Sequence, residues 1–251
     1  MRALFVMLMA LSACAPAPAS GEKTNVLLVA GGVVEGSWAR LGSLQFALPG
    51  APVVAAAKGD ALFAAYPYQL LIYRGGVPED SIPLSGVPRF IKVWPQLVVG
   101  LETTSPYGLS EASLFLPGKG TFPYAALDAV ANHQGTYWLD GKALRFEDRV
   151  LEAGAFKWVV GDEDFVFAVS AKEMFSYPGS HRVSLPAEPQ AVALAQDIYL
   201  LTKDGVYQLS RNGLMINFLK GSFTALAVDE KNVYLLENGR LVKATLSLER
   251  T

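Results

Sequence analysis

A strand-like motif recurs along the chain at a nearly constant spacing. The clearest copies are residues 232–239 (NVYLLENG) and 197–205 (DIYLLTKDG), which are short apolar and aromatic runs that close in Asn, Asp or Gly. Successive copies lie 29 to 39 residues apart, about 34 on average. Their first residues are Val26, Ala61, Leu97, Thr136, Phe165, Ile198 and Val233. A repeat of this length predicts a solenoid, a propeller or another array of similar units.

Six of these copies follow a second kind of strand, which is rich in small residues. These strands occupy residues 53–57, 90–94, 126–130, 157–161, 191–195 and 225–228. Strands crowded around a central axis must be narrow, and Ala, Val and Gly meet that need. A unit of small-residue strand, aromatic strand, turn and third strand matches one propeller blade. Apolar residues nowhere keep helical spacing over a long window. The sequence therefore predicts an all-β fold, a propeller of six or seven blades.

The number of blades stays open between six and seven, although seven aromatic strands favour seven. Six small-residue strands would instead favour six blades and a closing strand. The first copy, residues 25–32, aligns with the aromatic strand of the last copy. The last repeat stops after a third strand near Ser247, so we expect the N-terminal segment to supply its outer strand. Pairing of the N- and C-terminal strands would then close the ring and remove a free edge. A β-sandwich is the main alternative, and it would leave the regular spacing unexplained.

The segments VYLLENGRLVKA and IYLLTKDGVYQL resemble the degenerate blades of the PQQ-like and NHL-like propeller group. The likeness extends over most of residues 25–247 and consists of strand and turn pattern. The WD dipeptide of another propeller group is absent, and residues 138–140 (WLD) come nearest to it. The resemblance implies a propeller ring without implying an activity, because propellers host many unrelated functions.

The first residues are typical of a secretory signal. Arg2 precedes an uninterrupted apolar run at residues 3–11, and two small residues follow before Cys14, the only cysteine. The run is shorter than the roughly 20 residues that span a bilayer. Residues 11–14 (LSAC) also resemble the bacterial lipobox, which implies cleavage before Cys14 and lipidation of its thiol. An ordinary signal-peptidase cut close to the same position is the alternative.

The chain is thus predicted to contain three parts: a signal peptide at 1–13, a lipidated cysteine with a Pro-rich tether at 14–22, and a single propeller domain at 23–251. A membrane is the expected partner, through the lipid on Cys14. The protein would be exported across the inner membrane and anchored in the cell envelope. Ala15 follows the cysteine where the sorting rule of enteric bacteria would place Asp for the inner membrane. The outer membrane, facing the periplasm, is therefore the expected location.

Composition limits the chemistry that the domain can perform. The chain has 21 Lys and Arg against 23 Asp and Glu, so no nucleic-acid partner is predicted. A single cysteine and two histidines supply neither a thiol nucleophile in the domain nor a His-rich zinc site. His133 lies in a predicted turn, and residues 162–164 (DED) lack the spacing of a calcium loop. No catalytic set, metal site or cofactor is predicted.

Polar residues on the predicted inner strands are the remaining site candidates. Lys92, Asp128 and Lys157 would in part line the central channel, because side chains alternate along a strand. They could bind a small anion or pair with one another. Aromatic residues near strand ends could contact a protein or sugar, or pack between blades. These residues are Tyr66, Tyr68, Trp94, Tyr107 and Trp158.

Two functions remain open from the sequence. The preferred one is a membrane-anchored binding or scaffold module for a protein, peptide or glycan, because the chain combines an anchor signal and repeats with no recognisable catalytic set. The alternative is a propeller-type enzyme, such as a lactonase, a lyase or a quinone-dependent dehydrogenase. Its site would lie at the central channel and depend on Lys92, Asp128 and Lys157.

Overall fold

The strands of the protein form seven small antiparallel sheets arranged in a ring. The computed structural model describes residues 26–104, 108 and 110–251, and every regular element among them is a β-strand. Innermost strands of successive sheets lie against each other, and the first sheet contacts the last. The fold is therefore a seven-bladed β-propeller, which confirms the all-β prediction and decides the blade number. The predicted signal peptide, Cys14 and the tether lie outside the described residues.

The first four blades each contain four strands in chain order, numbered from the inside outwards. Blade 1 contains β1 (Val26–Val29), β2 (Gly32–Glu35), β3 (Trp38–Leu41) and β4 (Leu44–Ala47). Blade 2 contains β5 (Val54–Lys58), β6 (Ala61–Tyr66), β7 (Gln69–Arg74) and β8 (Val77–Pro83). Blade 3 contains β9 (Val87–Lys92), β10 (Val98–Thr104), β11 (Ser110–Leu116) and β12 (Gly120–Phe122). Blade 4 contains β13 (Asp128–Asn132), β14 (Gly135–Leu139), β15 (Ala143–Phe146) and β16 (Arg149–Ala153).

Blades 5 and 6 follow the same plan, and blade 7 has three strands. Blade 5 contains β17 (Trp158–Gly161), β18 (Val166–Val169), β19 (Glu173–Tyr177) and β20 (His181–Ser184). Blade 6 contains β21 (Ala191–Leu194), β22 (Ile198–Thr202), β23 (Gly205–Leu209) and β24 (Met215–Lys220). Blade 7 contains β25 (Phe223–Val228), β26 (Asn232–Glu237) and β27 (Arg240–Thr245). Among the residues described, no helix is long and apolar enough to cross a membrane.

The two predicted strand types occupy different positions in a blade. Small-residue strands overlap the innermost strands of blades 2 to 7, and aromatic strands overlap the second strands of the same blades. The first copy was assigned wrongly. Residues 25–32 were aligned with an aromatic second strand, but β1 is the innermost strand of blade 1 and β2 is the second. Both strands are short and wholly apolar apart from Glu35, so their composition does not separate the two positions.

Side chains packed between neighbouring blades form the core. Each of the six interfaces from blade 1 to blade 7 contains its own cluster of buried apolar residues. Between blades 6 and 7, for example, Tyr199 and Val206 pack against Phe223 and Leu235. Burying one large apolar side chain contributes about 1.5–3 kcal/mol, so the interfaces between blades supply most of the hydrophobic stabilisation.

The ring closes between blades 7 and 1, as predicted, but by a different contact. β1 packs against β25 and β26, and no described N-terminal residue pairs with β27. The expected fourth strand from the N-terminal segment is therefore not formed among the described residues. The C-terminal residues cover this edge instead. Leu248 has a φ of 61°, in the left-handed region, the chain turns back there, and the Thr251 N–H donates to the Lys243 carbonyl at 3.1 Å.

Buried tyrosines on second strands make the fold sensitive to alkali. Burial raises the pKa of Tyr137, Tyr199 and Tyr234 from 10.0 to about 12. Their neutral forms stabilise the fold fully below the unfolded pKa of 10.0, and this contribution is lost as the pH rises toward 12. We expect the urea concentration at the midpoint of unfolding to decrease as the pH rises from 10.0 to about 12. Tyr199→Phe should make that fall shallower, whereas an identical pH profile would contradict this assignment.

Candidate functional site

The two faces of the ring carry different loops. The N-terminal face, named because β1 begins there, carries the loops between second and third strands and the loops between blades. The opposite face carries the loops that join first to second and third to fourth strands. The first-to-second loops contain seven carboxylates and one lysine, Lys231. The carboxylates belong to Asp60, Asp162, Glu163, Asp164, Asp197, Asp229 and Glu230. We call this the acidic face.

An open cavity of about 360 Å³ occupies the central channel between blades 1, 2, 3 and 7. Most of its lining is apolar. The apolar lining residues include Val26, Leu28, Val54, Ala55, Phe90, Ile91 and Leu226. Arg89 is the charged residue among them, and its Nε lies 3.7 Å from Oε2 of Glu102. This part of the channel thus has an apolar wall with one ion pair beside it.

Lys92 and Asp128, two of the sequence candidates, pair with each other. The Lys92 Nζ lies 2.7 Å from Oδ2 of Asp128 and also donates to the Val159 carbonyl. Asp128 accepts two further hydrogen bonds, from the N–H of Val159 at 2.8 Å and of Ala129 at 3.0 Å. The pair therefore joins the innermost strands β9, β13 and β17 of three successive blades. Its polar atoms are engaged in holding these blades together.

Lys157, the third candidate, lies apart from this pair on the N-terminal face. Its Nζ is 3.5 Å from Oε1 of Glu188 and 5.8 Å from the ring centre of Trp158. The side chain is 56% exposed, so it is a surface residue. The three residues on which the enzymatic alternative depends therefore do not meet at one place.

Arg211 and Phe165 form a cation–π pair on the acidic face. In the loop between β17 and β18, the Asp162 Oδ1 accepts the N–H of Asp164 at 2.9 Å and of Phe165 at 2.8 Å. Arg211 pairs with the other carboxylate oxygen of Asp162, and its guanidinium lies 5.8 Å from the Phe165 ring. Burial would raise the pKa of Asp162, but these donors together hold it below its ordinary value. The loop thereby presents Phe165, 38% exposed, beside a fixed cation.

The same loop also contacts blade 4. The Glu163 Oε2 accepts the backbone N–H of His133 at 3.2 Å and lies 3.0 Å from its Nδ1. The hydrogen bond from the His133 side chain is the main reason why the pKa of Glu163 is lowered. The Asn132 Nδ2 donates to the Asp162 carbonyl at 3.1 Å. The acidic run is therefore a connector between blades, and in the described part of the chain no group of His, Cys, Asp and Glu could hold a metal ion.

Trp94 is the second exposed aromatic on this face, in the loop between β9 and β10 of blade 3. Its side chain is 45% exposed, and the Nζ of Lys58 lies 4.4 Å from its ring centre. The Gln96 N–H donates to the Ala131 carbonyl at 3.1 Å, which ties this loop to blade 4. The acidic face thus carries two aromatic–cation pairs, in loops two blades apart along the ring.

The predicted aromatic residues differ in exposure. Tyr68 and Trp94 are exposed, whereas Tyr66 and Trp158 are partly buried. Tyr107 lies outside the described residues. Sequence reasoning missed the pair of Phe165 and Arg211, because these residues are far apart in the chain and Phe165 was assigned to the start of a strand.

No protein-family model and no curated protein matches this chain. Among solved structures it is similar to Hsv2 of Kluyveromyces lactis, with 8% identity, a TM-score of 0.55, and 85% of this chain and 89% of that chain covered. It is also similar to BBS1N, solved in complex with ARL6DN, with 13% identity, a TM-score of 0.50, and 76% of this chain and 75% of that chain covered. A third similar structure is PorZ, a component of the type-IX secretion system of Porphyromonas gingivalis, with 15% identity and a TM-score of 0.52. The match covers 78% of this chain and 32% of that chain. At these identities the similarity shows the propeller fold alone.

Proposed function

We propose that the protein is a lipid-anchored envelope lipoprotein whose propeller binds a protein partner on the acidic face. The observation that carries this proposal is the pairing of an exposed aromatic ring with a cation at two places on that face. Trp94 lies beneath Lys58, and Phe165 lies beside Arg211. Trp, Tyr and Arg are enriched among the residues that dominate binding energy at protein interfaces, and Trp94 and Arg211 are of these types.

Charge indicates the kind of partner. The loops around the channel mouth on the acidic face carry seven carboxylates and Lys231, and with Lys58 and Arg211 beside them the carboxylates remain in excess. Complementary potentials steer association and select partners, so a protein with a basic surface fits this face best. Two solved propellers support such a use of the fold. BBS1N was solved with ARL6DN bound, and PorZ is a component of a secretion system.

The anchor is proposed from residues 11–14, which resemble the lipobox. Mass spectrometry of the mature N-terminal peptide should show a lipid-modified Cys14 with residues 1–13 removed. Cys14→Ser should move the protein from the membrane fraction to the soluble fraction, because the acyl chains supply the membrane affinity. An unmodified Cys14 in the membrane-bound protein would refute the anchor.

Cross-linking tests the binding face. A photoreactive residue at Asp164, which is exposed next to Phe165, should give a discrete protein adduct in cells. The matched control places the same residue at Val150, which is 55% exposed on the outer strand of blade 4. The adduct at 164 should disappear in Arg211→Glu, which reverses the charge beside Phe165. Equal adducts at both positions would contradict the proposal, and a glycan partner would give no protein adduct at either.

Trp94→Ala should weaken binding of the partner identified in this way by about 2 kcal/mol, roughly thirtyfold in Kd, because an exposed aromatic anchor is removed. Tyr68→Ala is the control, because Tyr68 is 60% exposed on the N-terminal face. Calorimetry in detergent solution should show that Tyr68→Ala leaves the Kd for the partner unchanged. If Tyr68→Ala weakened binding and Trp94→Ala did not, the acidic face would not be the binding surface.

A further inference from the structure

The N-terminal face is the one that the proposed lipid tether reaches. β1 begins on this face at Val26, and eleven residues separate Val26 from Cys14. A fully extended chain of that length spans about 40 Å. Crossing from the innermost strand to the rim requires about 15–20 Å, and descending along a strand to the other face requires about as much again. The tether is therefore long enough for the N-terminal face to lie on a bilayer, whereas reaching round to the acidic face would take about three quarters or all of its fully extended length.

One half of the N-terminal face is apolar. Trp38, Val53, Tyr68, Val87 and Leu127 lie there on blades 1 to 4, and each is between 36% and 60% exposed. The loops of this sector contain no charged residue. These loops are residues 36–37, 48–53, 67–68, 84–86 and 123–127. Glu35, which ends β2 opposite Trp38, is an exposed carboxylate at the border of these loops. Exposed Trp and Tyr beside uncharged loops are typical of side chains at a membrane–water interface.

The backbone holds Tyr68 in its exposed position. Its N–H donates to the Gly86 carbonyl at 3.0 Å, and its carbonyl accepts the N–H of Leu84 at 2.9 Å. Its φ of 66° lies in the left-handed region, which residues other than glycine rarely adopt outside tight turns. The turn between β6 and β7 thus fixes an aromatic side chain at the surface beside Val87.

The other half of the N-terminal face carries exposed lysines. Lys142, Lys157, Lys172 and Lys203 lie on the loops of blades 4 to 6, interspersed with three carboxylates of Asp140, Glu188 and Asp204. The acidic face, in contrast, carries a large excess of carboxylates. An anionic lipid surface attracts lysines and repels carboxylates, so the charge distribution favours the same orientation as the tether.

We propose that the N-terminal face docks on the bilayer that holds the lipid of Cys14, with Trp38 and Tyr68 at the level of the lipid headgroups. This inference rests on the proposed anchor and adds the docking surface and the orientation of the ring. The acidic face then points away from the bilayer, where it is open to a protein partner.

Fluorescence quenching by lipid tests the orientation. The lipidated full-length protein is reconstituted into vesicles of phosphatidylcholine and phosphatidylglycerol with brominated acyl chains, which quench tryptophan at the bilayer. Wild-type emission should be quenched relative to vesicles without bromine. Trp38→Phe should lose most of this quenching, and Trp94→Phe, the matched variant on the acidic face, should retain it. The other two tryptophans, Trp138, which is buried in β14, and Trp158, which is partly buried at the start of β17, are present in both variants.

The mass of the N-terminal peptide from the same sample separates the two proposals. If Cys14 is unmodified, the anchor fails. If Cys14 is lipidated but Trp38 is not quenched, the docking proposal fails and the anchor stands. The docking proposal also fails if a protein, and not lipid, is found to cover Trp38. Quenching that is lost in Trp94→Phe and kept in Trp38→Phe would place the opposite face on the bilayer and overturn the inference.

Discussion

Asp128→Ala should lower the free energy of unfolding by about 3 kcal/mol. The substitution leaves the Lys92 ammonium without its carboxylate, although that side chain is only 25% exposed. It also leaves the buried Val159 N–H without an acceptor, and an unpaired buried donor costs about 1–3 kcal/mol. Because the pair joins β9, β13 and β17, the loss acts on three blades together.

Two further variants distinguish the ion pair from simple burial. Lys92→Met should cost less than Asp128→Ala, because the Asp128 carboxylate keeps its hydrogen bonds to Val159 and Ala129. Lys157→Met is the surface control, since Lys157 and Glu188 are 56% and 66% exposed. Its effect should stay within about 0.5 kcal/mol. Urea unfolding followed by circular dichroism measures the stability of all three variants. Equal effects for Asp128→Ala and Lys157→Met would contradict the role of the ion pair in joining the three blades.

The fold could be predicted because each blade repeats the same local pattern. A small-residue strand followed by an aromatic strand and a turn can be recognised from the local sequence alone. This pattern correctly located blades 2 to 7. Blade 1 was misread because β1 is apolar on both faces, like a second strand. The position of a strand in its blade depends on neighbours that are distant in the chain, so composition alone does not give it.

The polar candidates on the inner strands were visible as exceptions within apolar runs. Their pairing was among the outcomes considered, but the place of Lys157 on the surface depends on where β17 begins, and strand ends are the least reliable feature of such predictions. The pair of Phe165 and Arg211 had no local signal, because it requires loops of blades 5 and 6 to meet. The contrast in charge between the two faces likewise becomes visible only when each loop is assigned to a face.

Gly32→Ala should lower the free energy of unfolding by about 3 kcal/mol. Gly32 opens β2 and pairs with Leu41 on β3. A Cβ at this position would lie 1.7 Å from the backbone oxygen of Arg40 and 2.8 Å from its carbonyl carbon. Backbone atoms within a strand pair cannot yield as a flexible side chain can, so β2 and β3 must separate locally. In the sequence this glycine reads as the end of a strand, and only the three-dimensional contact explains why it must be small.

The matched control is Gly50→Ala in the loop between blades 1 and 2. No atom lies within 4 Å of an added Cβ there, and the backbone is not in the left-handed region. Its effect on the urea midpoint should be small. Val34 and Leu41 beside Gly32 belong to the cluster between blades 1 and 2, while β1 closes the ring against blade 7. A separation of β2 and β3 therefore weakens blade 1 at both of its interfaces. Equal stability of the two variants would show that blade 1 absorbs the added methyl without moving its backbone.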